Sequence, residues 1–141
     1  MATTTATITL ASSDIADNSF SVSNTSTLYT AGTDTGITET TGLGRKKVAS
    51  ASNVVLLGAT TAEGIAQDVT PDKSAKVYIK NMNLRGDGTK FVTVLLLTRE
   101  IGRLYGGDWM FFPWNATDGK DIEITPSDAT ETTLEYTIFY E

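Results

Sequence analysis

The sequence predicts an all-β domain, an antiparallel sandwich or barrel of jelly-roll-like type, with an extended N-terminal arm. Short apolar or alternating runs recur between residues 53 and 140, and turn-forming residues separate them at short intervals. No helical period continues beyond about two turns. The first 44 residues differ, since their apolar side chains arrive singly. These observations divide the chain into an arm or edge region, residues 1–44, and a β-sandwich domain, residues 45–141.

The N-terminal region is dominated by Thr, Ser, Ala, Asp and Gly. Residues 3–10 and 20–27 combine β propensity with partial alternation, so both predict strands if a partner surface is supplied. Two interpretations remain open for this region. It is either an extended arm that orders against a neighbouring subunit, or a pair of edge strands of the same domain.

Arg45, Lys46 and Lys47 form the densest basic cluster. Such a short run is usually a solvated loop. The alternative is a contact with an acidic neighbouring subunit or, less favoured, with packaged nucleic acid. The three residues are therefore candidate interface residues.

The middle of the chain contains three strand signals. Residues 53–57 contain a continuous apolar run, typical of a strand buried on both faces. Residues 76–80 alternate polar and apolar side chains, and residues 91–97 are apolar on both faces. The segment between the last two contains an Asp-Gly pair, which favours a tight turn. We therefore expect residues 76–80 and 91–97 to form a hairpin, with the second strand central in its sheet.

The C-terminal part predicts four more strands, at residues 101–105, 109–112, 121–125 and 132–140. In the last strand Leu134, Tyr136 and Ile138 share one face, which we expect to be buried. Trp109 and Phe111 likewise share one face, and we expect them to pack inside.

Several aromatic side chains exceed what one buried face requires. Phe139 interrupts the polar row of its strand, and Trp114 closes a run rich in aromatic residues. Core filling is the ordinary explanation, whereas a second apolar surface is the alternative. Trp114 and Phe139, together with Phe20 and Val22 in the N-terminal region, complete the set of candidate interface residues.

The composition removes most catalytic chemistry, because the chain has 0 His and 0 Cys. Glu100, Asp108, Asp121 and Glu123 are the candidate carboxylates, but nothing in the sequence pairs them. No phosphate-binding loop motif is present. We therefore expect no enzymatic activity, no cofactor, no metal site and no catalytic residue.

The net charge of −6 disfavours binding to nucleic acid or to anionic membranes. No apolar stretch approaches the length of a membrane span, and the first residues lack signal-peptide features. We therefore expect synthesis in the cytoplasm and protein partners. Arg85-Gly86-Asp87 spells an integrin-binding tripeptide, but turn formation alone explains it.

Residues 76–81, 101–114 and 134–140 carry a pattern of strand, Gly-rich turn and aromatic strand. This pattern resembles small virion proteins of tailed bacteriophages, in particular those that decorate or cement the capsid. The resemblance implies a non-enzymatic β-rich subunit, repeated on a particle as a homo-oligomer with a trimer favoured, that bridges major capsid or other virion proteins. It also implies synthesis in the host cytoplasm and location in the virion.

Two alternatives to the capsid-cement interpretation stay open. The first is a tail-fibre or tail-associated module that binds carbohydrate or a receptor, and the second is a tail adaptor or tube subunit. In the first case Trp109, Trp114 or Tyr105 would stack on sugar rings. Exposed tryptophans would favour this alternative, whereas buried tryptophans with a protruding arm would favour capsid cement.

Overall fold

The computed structural model describes residues 3–15, 19–29, 33–37, 39–49, 51–59, 74–86, 88–116 and 120–140. The chain divides into two compact units, residues 1–38 and 39–141. The division falls six residues before the boundary expected from composition, because strand pairing in the second unit already begins at Glu39. Every regular element in the described part is a strand.

Unit 1 contains a two-stranded antiparallel hairpin. β1 (Thr5–Ser12) pairs along its whole length with β2 (Phe20–Thr27), from Thr5 opposite Thr27 to Ser12 opposite Phe20. The backbone then continues with Leu28 N–H donating to the Thr4 carbonyl (2.8 Å) and Ile37 N–H donating to the Leu28 carbonyl (3.1 Å). Leu28 and Ile37 are buried. Both predicted N-terminal strands are therefore present, and they pair with each other in a sheet of their own.

Unit 2 contains two antiparallel sheets. The strands are β3 (Glu39–Thr40), β4 (Gly44–Val48), β5 (Val54–Leu57), β6 (Ser74–Asn81), β7 (Phe91–Leu96), β8 (Arg99–Tyr105), β9 (Trp109–Asn115), β10 (Ile122–Pro126) and β11 (Thr132–Tyr140). One sheet has the order β5-β10-β7-β8. The other has the order β3-β11-β6-β9, and β4 also pairs with β11.

One hydrophobic core lies between the two sheets. Val92, Val94, Leu104, Ile122 and Ile124 come from the four-stranded sheet, and all are buried. The side chains that the five-stranded sheet contributes to this core are Ala75, Val77, Ile79, Trp114, Leu134, Tyr136 and Ile138. The sheets do not close into a barrel. Of the two predicted all-β architectures, the structure is therefore the sandwich.

The sequence predicted most strands of unit 2 correctly, including the central position of β7 and the buried face of β11. Leu134 and Ile138 have no exposed surface, as expected. It missed β3 and β4. The basic cluster, interpreted as a loop or a contact, is in fact strand β4, which pairs with β11 from Gly44 opposite Tyr136 to Val48 opposite Thr132.

The predicted hairpin between residues 76–80 and 91–97 is wrong. β6 lies between β11 and β9 in the five-stranded sheet, whereas β7 lies between β10 and β8 in the other. The segment between β6 and β7 therefore joins the two layers. An Asp-Gly pair marks a turn but does not decide which strands pair, because the buried partners of each strand decide that.

Asn81 connects the two sheets at one end of the sandwich. Its side chain is buried, and Nδ2 donates to the Leu104 carbonyl of β8 (3.0 Å) while Oδ1 accepts the Asn83 N–H (3.0 Å). Its backbone N–H donates to the Asp108 carbonyl and its carbonyl accepts the Gly107 N–H. This network holds the β8–β9 crossover against the end of β6.

Candidate protein-binding surfaces

The hairpin of unit 1 has two chemically different faces. Strand alternation and the β1–β2 register place five apolar side chains on one face, which we call the arm face: Ala6, Ile8, Leu10, Phe20 and Val22. The opposite face carries hydroxyl groups. There Thr7 and Thr25 hydrogen bond across the strands (2.9 Å), as do Thr9 and Ser23 (3.1 Å).

The arm face is exposed. Leu10 is 56% exposed, Val22 58% and Phe20 43%. A face rich in hydroxyl groups is well solvated by water, whereas aliphatic and aromatic side chains are stabilised by burial. Phe20 and Val22, both candidate interface residues, thus lie on a surface that a partner can cover.

A second apolar surface lies on the outer face of the five-stranded sheet. The registers of β9, β6 and β11 place Trp109, Phe111 and Pro113 beside Tyr78, with Phe139 on the far side. We call these five residues the aromatic face. The Tyr78 and Trp109 rings are 6.4 Å apart between centroids, and Phe111 is directly opposite Tyr78 in the pairing.

The inward orientation predicted for Trp109 and Phe111 is wrong, and Trp114 is not a surface residue. Trp109 is 50% exposed, whereas Trp114 is 1% exposed and donates from Nε1 to the Lys120 carbonyl (2.8 Å). β9 is apolar on both faces, so alternation alone does not choose between them. The observed orientation buries an indole whose N–H finds a carbonyl acceptor, which removes Trp114 from the candidate interface.

Two lysines of β6 flank Tyr78 on the aromatic face. Lys80 lies opposite Trp109, and Lys76 lies opposite Pro113 on one side and Phe139 on the other. The pKa of Tyr78 is raised, first by burial and then by the negative charge of Glu135. The surface consists of aromatic rings bordered by two lysine side chains.

Each of the three residues of the basic cluster has a partner within the chain, and Arg45 and Lys47 share one face of β4. Arg45 forms an ion pair with the nearly buried Glu135 (2.9 Å), and Lys47 pairs with Glu131 (2.8 Å). Lys46 lies on the other face of β4 and donates to the Val55 carbonyl of β5 (3.0 Å). The cluster thus stabilises the edge of the sandwich, which lowers its value as a binding site for an acidic partner.

The candidate carboxylates also bind neighbouring groups. Glu100 pairs with Arg103 (2.8 Å), and Asp108 pairs with Arg85. Asp121 accepts the Ala59 N–H (2.6 Å), and Glu123 accepts from Asn53 Nδ2 (3.4 Å). Among the described residues no group of three acidic, His or Cys side chains has the arrangement of a metal site. Asp87 of the Arg85-Gly86-Asp87 tripeptide lies outside the described residues.

Tyr78 and the two lysines beside it are the surface residues that sequence reasoning missed. The alternation of residues 76–80 predicts a strand with Lys76, Tyr78 and Lys80 on its polar face. The tyrosine at the centre of that face is the signal that indicates an aromatic surface. Its neighbours on β9 come from a strand about 30 residues away, so only the pairing reveals the cluster.

No helix in the described part of the chain is long and apolar enough to cross a bilayer. No family model matches the chain, and comparison with curated proteins and with solved structures finds no similar protein.

Proposed function

We propose that the chain is a non-enzymatic assembly subunit whose β1–β2 hairpin binds a neighbouring protein subunit. The observation that carries this proposal is the exposed arm face on a paired, hydrogen-bonded ribbon. Burial of apolar surface contributes about 25 cal/mol per Å². Association is therefore favoured when a partner buries the exposed apolar side chains of the arm face, which are Ile8, Leu10, Phe20 and Val22.

The small size of unit 1 supports the same conclusion. It spans residues 1–38 and contains 0 Cys. Chains below about 40 residues usually need disulfides, metals or a partner to remain folded, and an isolated two-stranded hairpin is marginally stable. A partner surface would supply the additional burial that unit 1 needs to remain folded.

The specific setting we propose is the particle of a tailed bacteriophage, with the protein bridging neighbouring shell subunits and thereby stabilising the capsid. The sandwich fold and the exposed apolar side chains of the hairpin agree with the resemblance of the strand and aromatic pattern to capsid decoration proteins. Many copies on one lattice bind multivalently, so a weak contact per copy suffices. Opening the shell would require breaking each of these contacts.

A pair of substitutions on the arm face tests the proposal. Leu10→Asp with Val22→Asp places two charges on the arm face, whereas Thr9→Asp with Ser23→Asp places the same charges on the hydroxyl face. Both pairs lie on exposed positions of the same two strands. Binding to phage particles that lack the protein is measured by co-sedimentation, and electron microscopy gives its position and copy number relative to the shell protein.

We expect the arm-face variant to lose binding and the hydroxyl-face variant to retain it. Equal binding by both would contradict the proposed role of the hairpin. Thermal melting of unit 2 serves as the folding control, since β3 to β11 supply its pairing and core.

A tail-associated carbohydrate-binding module is the second candidate, and the half-exposed Trp109 beside Tyr78 favours it. Aromatic rings commonly stack on the apolar faces of sugars. Of the other residues considered for this role, Trp114 is buried and Tyr105 packs on Phe91 with ring centroids 5.4 Å apart. Glycan binding that disappears in Trp109→Ala but persists in the arm-face variant would favour this function over assembly.

A further inference from the structure

We propose that the arm face of one copy docks on the aromatic face of a second copy, so that the protein self-associates by donating its hairpin. This inference rests on the proposed function, because it names the surface that receives the arm. It commits to one occupant for the aromatic face. That occupant is the β1–β2 hairpin of another copy of the chain.

The two surfaces match in their chemistry. The arm face carries four aliphatic side chains and one phenyl ring, Phe20, and it also carries the polar residues Ser12, Asn24 and Ser26. The aromatic face is a sheet surface on which Trp109 is half exposed and Tyr78, Phe111 and Phe139 are partly exposed. Packing one sheet face on another is the ordinary way in which two β layers bury their apolar sides.

The charges of the two surfaces are complementary. Residues 1–38 contain Asp14, Asp17 and Asp34 but no Lys or Arg. On the aromatic face Lys76 and Lys80 border Tyr78 on β6, and the acidic Glu135 nearby is already paired with Arg45. Unit 1, whose net charge is negative, is therefore attracted to this face, whereas two copies of unit 1 would repel each other.

The β9 edge of the five-stranded sheet is less suited to receive the hairpin than the outer face of the sheet. β9 is one of the edge strands, and Pro113 within it has no N–H to donate to an added strand. Backbone pairing along β9 would be interrupted at that position. Trp109 and Phe111 of β9, in contrast, lie on the outer face, so docking through side chains remains available.

Two variants separate the donor from the acceptor. The donor variant, Leu10→Asp with Val22→Asp, changes the arm face and leaves the aromatic face intact. The acceptor variant, Trp109→Asp, changes the aromatic face and leaves the hairpin intact. The matched controls are Thr9→Asp with Ser23→Asp for the donor and Ile101→Asp for the acceptor, since Ile101 is 43% exposed in the other sheet.

Self-association of the full-length protein is measured by analytical ultracentrifugation. We expect the wild type and both controls to form oligomers. The donor and acceptor variants, each alone, should associate on the order of 30-fold more weakly, as expected when a central contact of an interface is removed. An equimolar mixture of the two variants should form a complex, because one supplies an intact hairpin and the other an intact acceptor face.

The dependence on salt gives a second measurement of the same contact. Screening shortens the range of charge attraction from about 10 Å at 0.1 M salt to about 3 Å at 1 M. We expect wild-type association to weaken as salt rises, and Lys76→Gln with Lys80→Gln to reduce that dependence. An unchanged salt dependence in this variant would contradict the charge complementarity.

The outcomes distinguish this inference from the proposed function. A monomeric wild type, or an acceptor variant that associates like the wild type, overturns docking on the aromatic face. If either of these outcomes is found and the donor variant still fails to bind particles, the hairpin remains an assembly arm that binds a surface other than the aromatic face. Failure of the two variants to complement each other in the mixture also overturns the inference.

Discussion

Tyr136 lies over the backbone of Gly44, its partner in the pairing of β11 with β4. A Cβ atom at position 44 would come within 2.7 Å of the tyrosine ring and 2.8 Å of its hydroxyl oxygen. The glycine therefore leaves room for the ring to reach the core at the edge of the five-stranded sheet. This relationship explains why the chain enters β4 through a glycine although a strand interior usually disfavours it.

The first prediction follows from this contact. Gly44→Ala should lower the free energy of unfolding by about 1–3 kcal/mol, the usual range for overpacking in a well-packed region. Urea denaturation measures the change. Gly88→Ala is the matched control, since a Cβ there meets no atom within 4 Å, and it should be neutral or slightly stabilising. Equal stability of Gly44→Ala and the wild type would show that the tyrosine ring moves aside easily.

The second prediction compares the two tryptophans. Trp114→Ala should destabilise the fold by about 3–5 kcal/mol, because it removes a fully buried side chain and leaves a cavity. It also leaves the Lys120 carbonyl without its donor. Trp109→Ala should lower stability much less, since half of that side chain is already exposed. A larger loss at Trp109 than at Trp114 in urea denaturation would contradict the observed orientation of β9.

Strand β9 shows which features of the fold the sequence predicts and which it does not. The existence of β9, β6 and β11 follows from their apolar content and the intervening turns. Which face of β9 is buried does not follow, because Trp109 and Phe111 compete with Met110, Phe112 and Trp114 for the core. Burial is decided by pairing with β6, a contact between residues distant in sequence. A pattern within one strand does not contain that information.

The sequence predicts only part of each candidate surface, because a pattern within one strand does not reveal which strands pair. Phe20 and Val22 were identified because they are apolar residues in a polar strand, and both are exposed on one face of the hairpin. Phe139 was identified because it interrupts a polar row. The residues that complete each surface, Leu10 across from Val22 and Tyr78 across from Phe111, are defined by register.

The third prediction concerns the tight turn between β7 and β8. Leu97 and Thr98 have positive φ values of 51° and 64°, in a two-residue loop that joins Leu96 to its pairing partner Arg99. Side chains with a Cβ atom, and β-branched ones above all, are strained in this region by about 1–2 kcal/mol. Turns of this kind prefer Asn and Gly. Thr98→Gly should therefore raise the melting temperature.

Thr133→Gly is the comparison for that variant. Thr133 lies in β11 opposite Lys47, where glycine has no conformational advantage and should destabilise the strand. Opposite signs for the two substitutions in thermal melting are expected. If Thr98→Gly also lowered the melting temperature, the strain at the turn would be offset by contacts of the threonine side chain.

The last prediction concerns stability at alkaline pH. Burial raises the pKa of Tyr136 above its ordinary value of 10.0, and burial followed by the charge of Glu135 raises the pKa of Tyr78. In the unfolded chain both phenols ionise near the ordinary value, whereas in the folded protein they hold their protons to higher pH. Their contribution to stability is therefore complete below about pH 10 and is lost as pH rises toward the folded-state pKa. Tyr136→Phe and Tyr78→Phe should each flatten the fall in melting temperature above pH 10. Melting curves measured between pH 8 and pH 12, with tyrosinate absorbance recorded in parallel, check this prediction. Identical slopes in the wild type and both variants would show that these two phenols do not control alkaline unfolding.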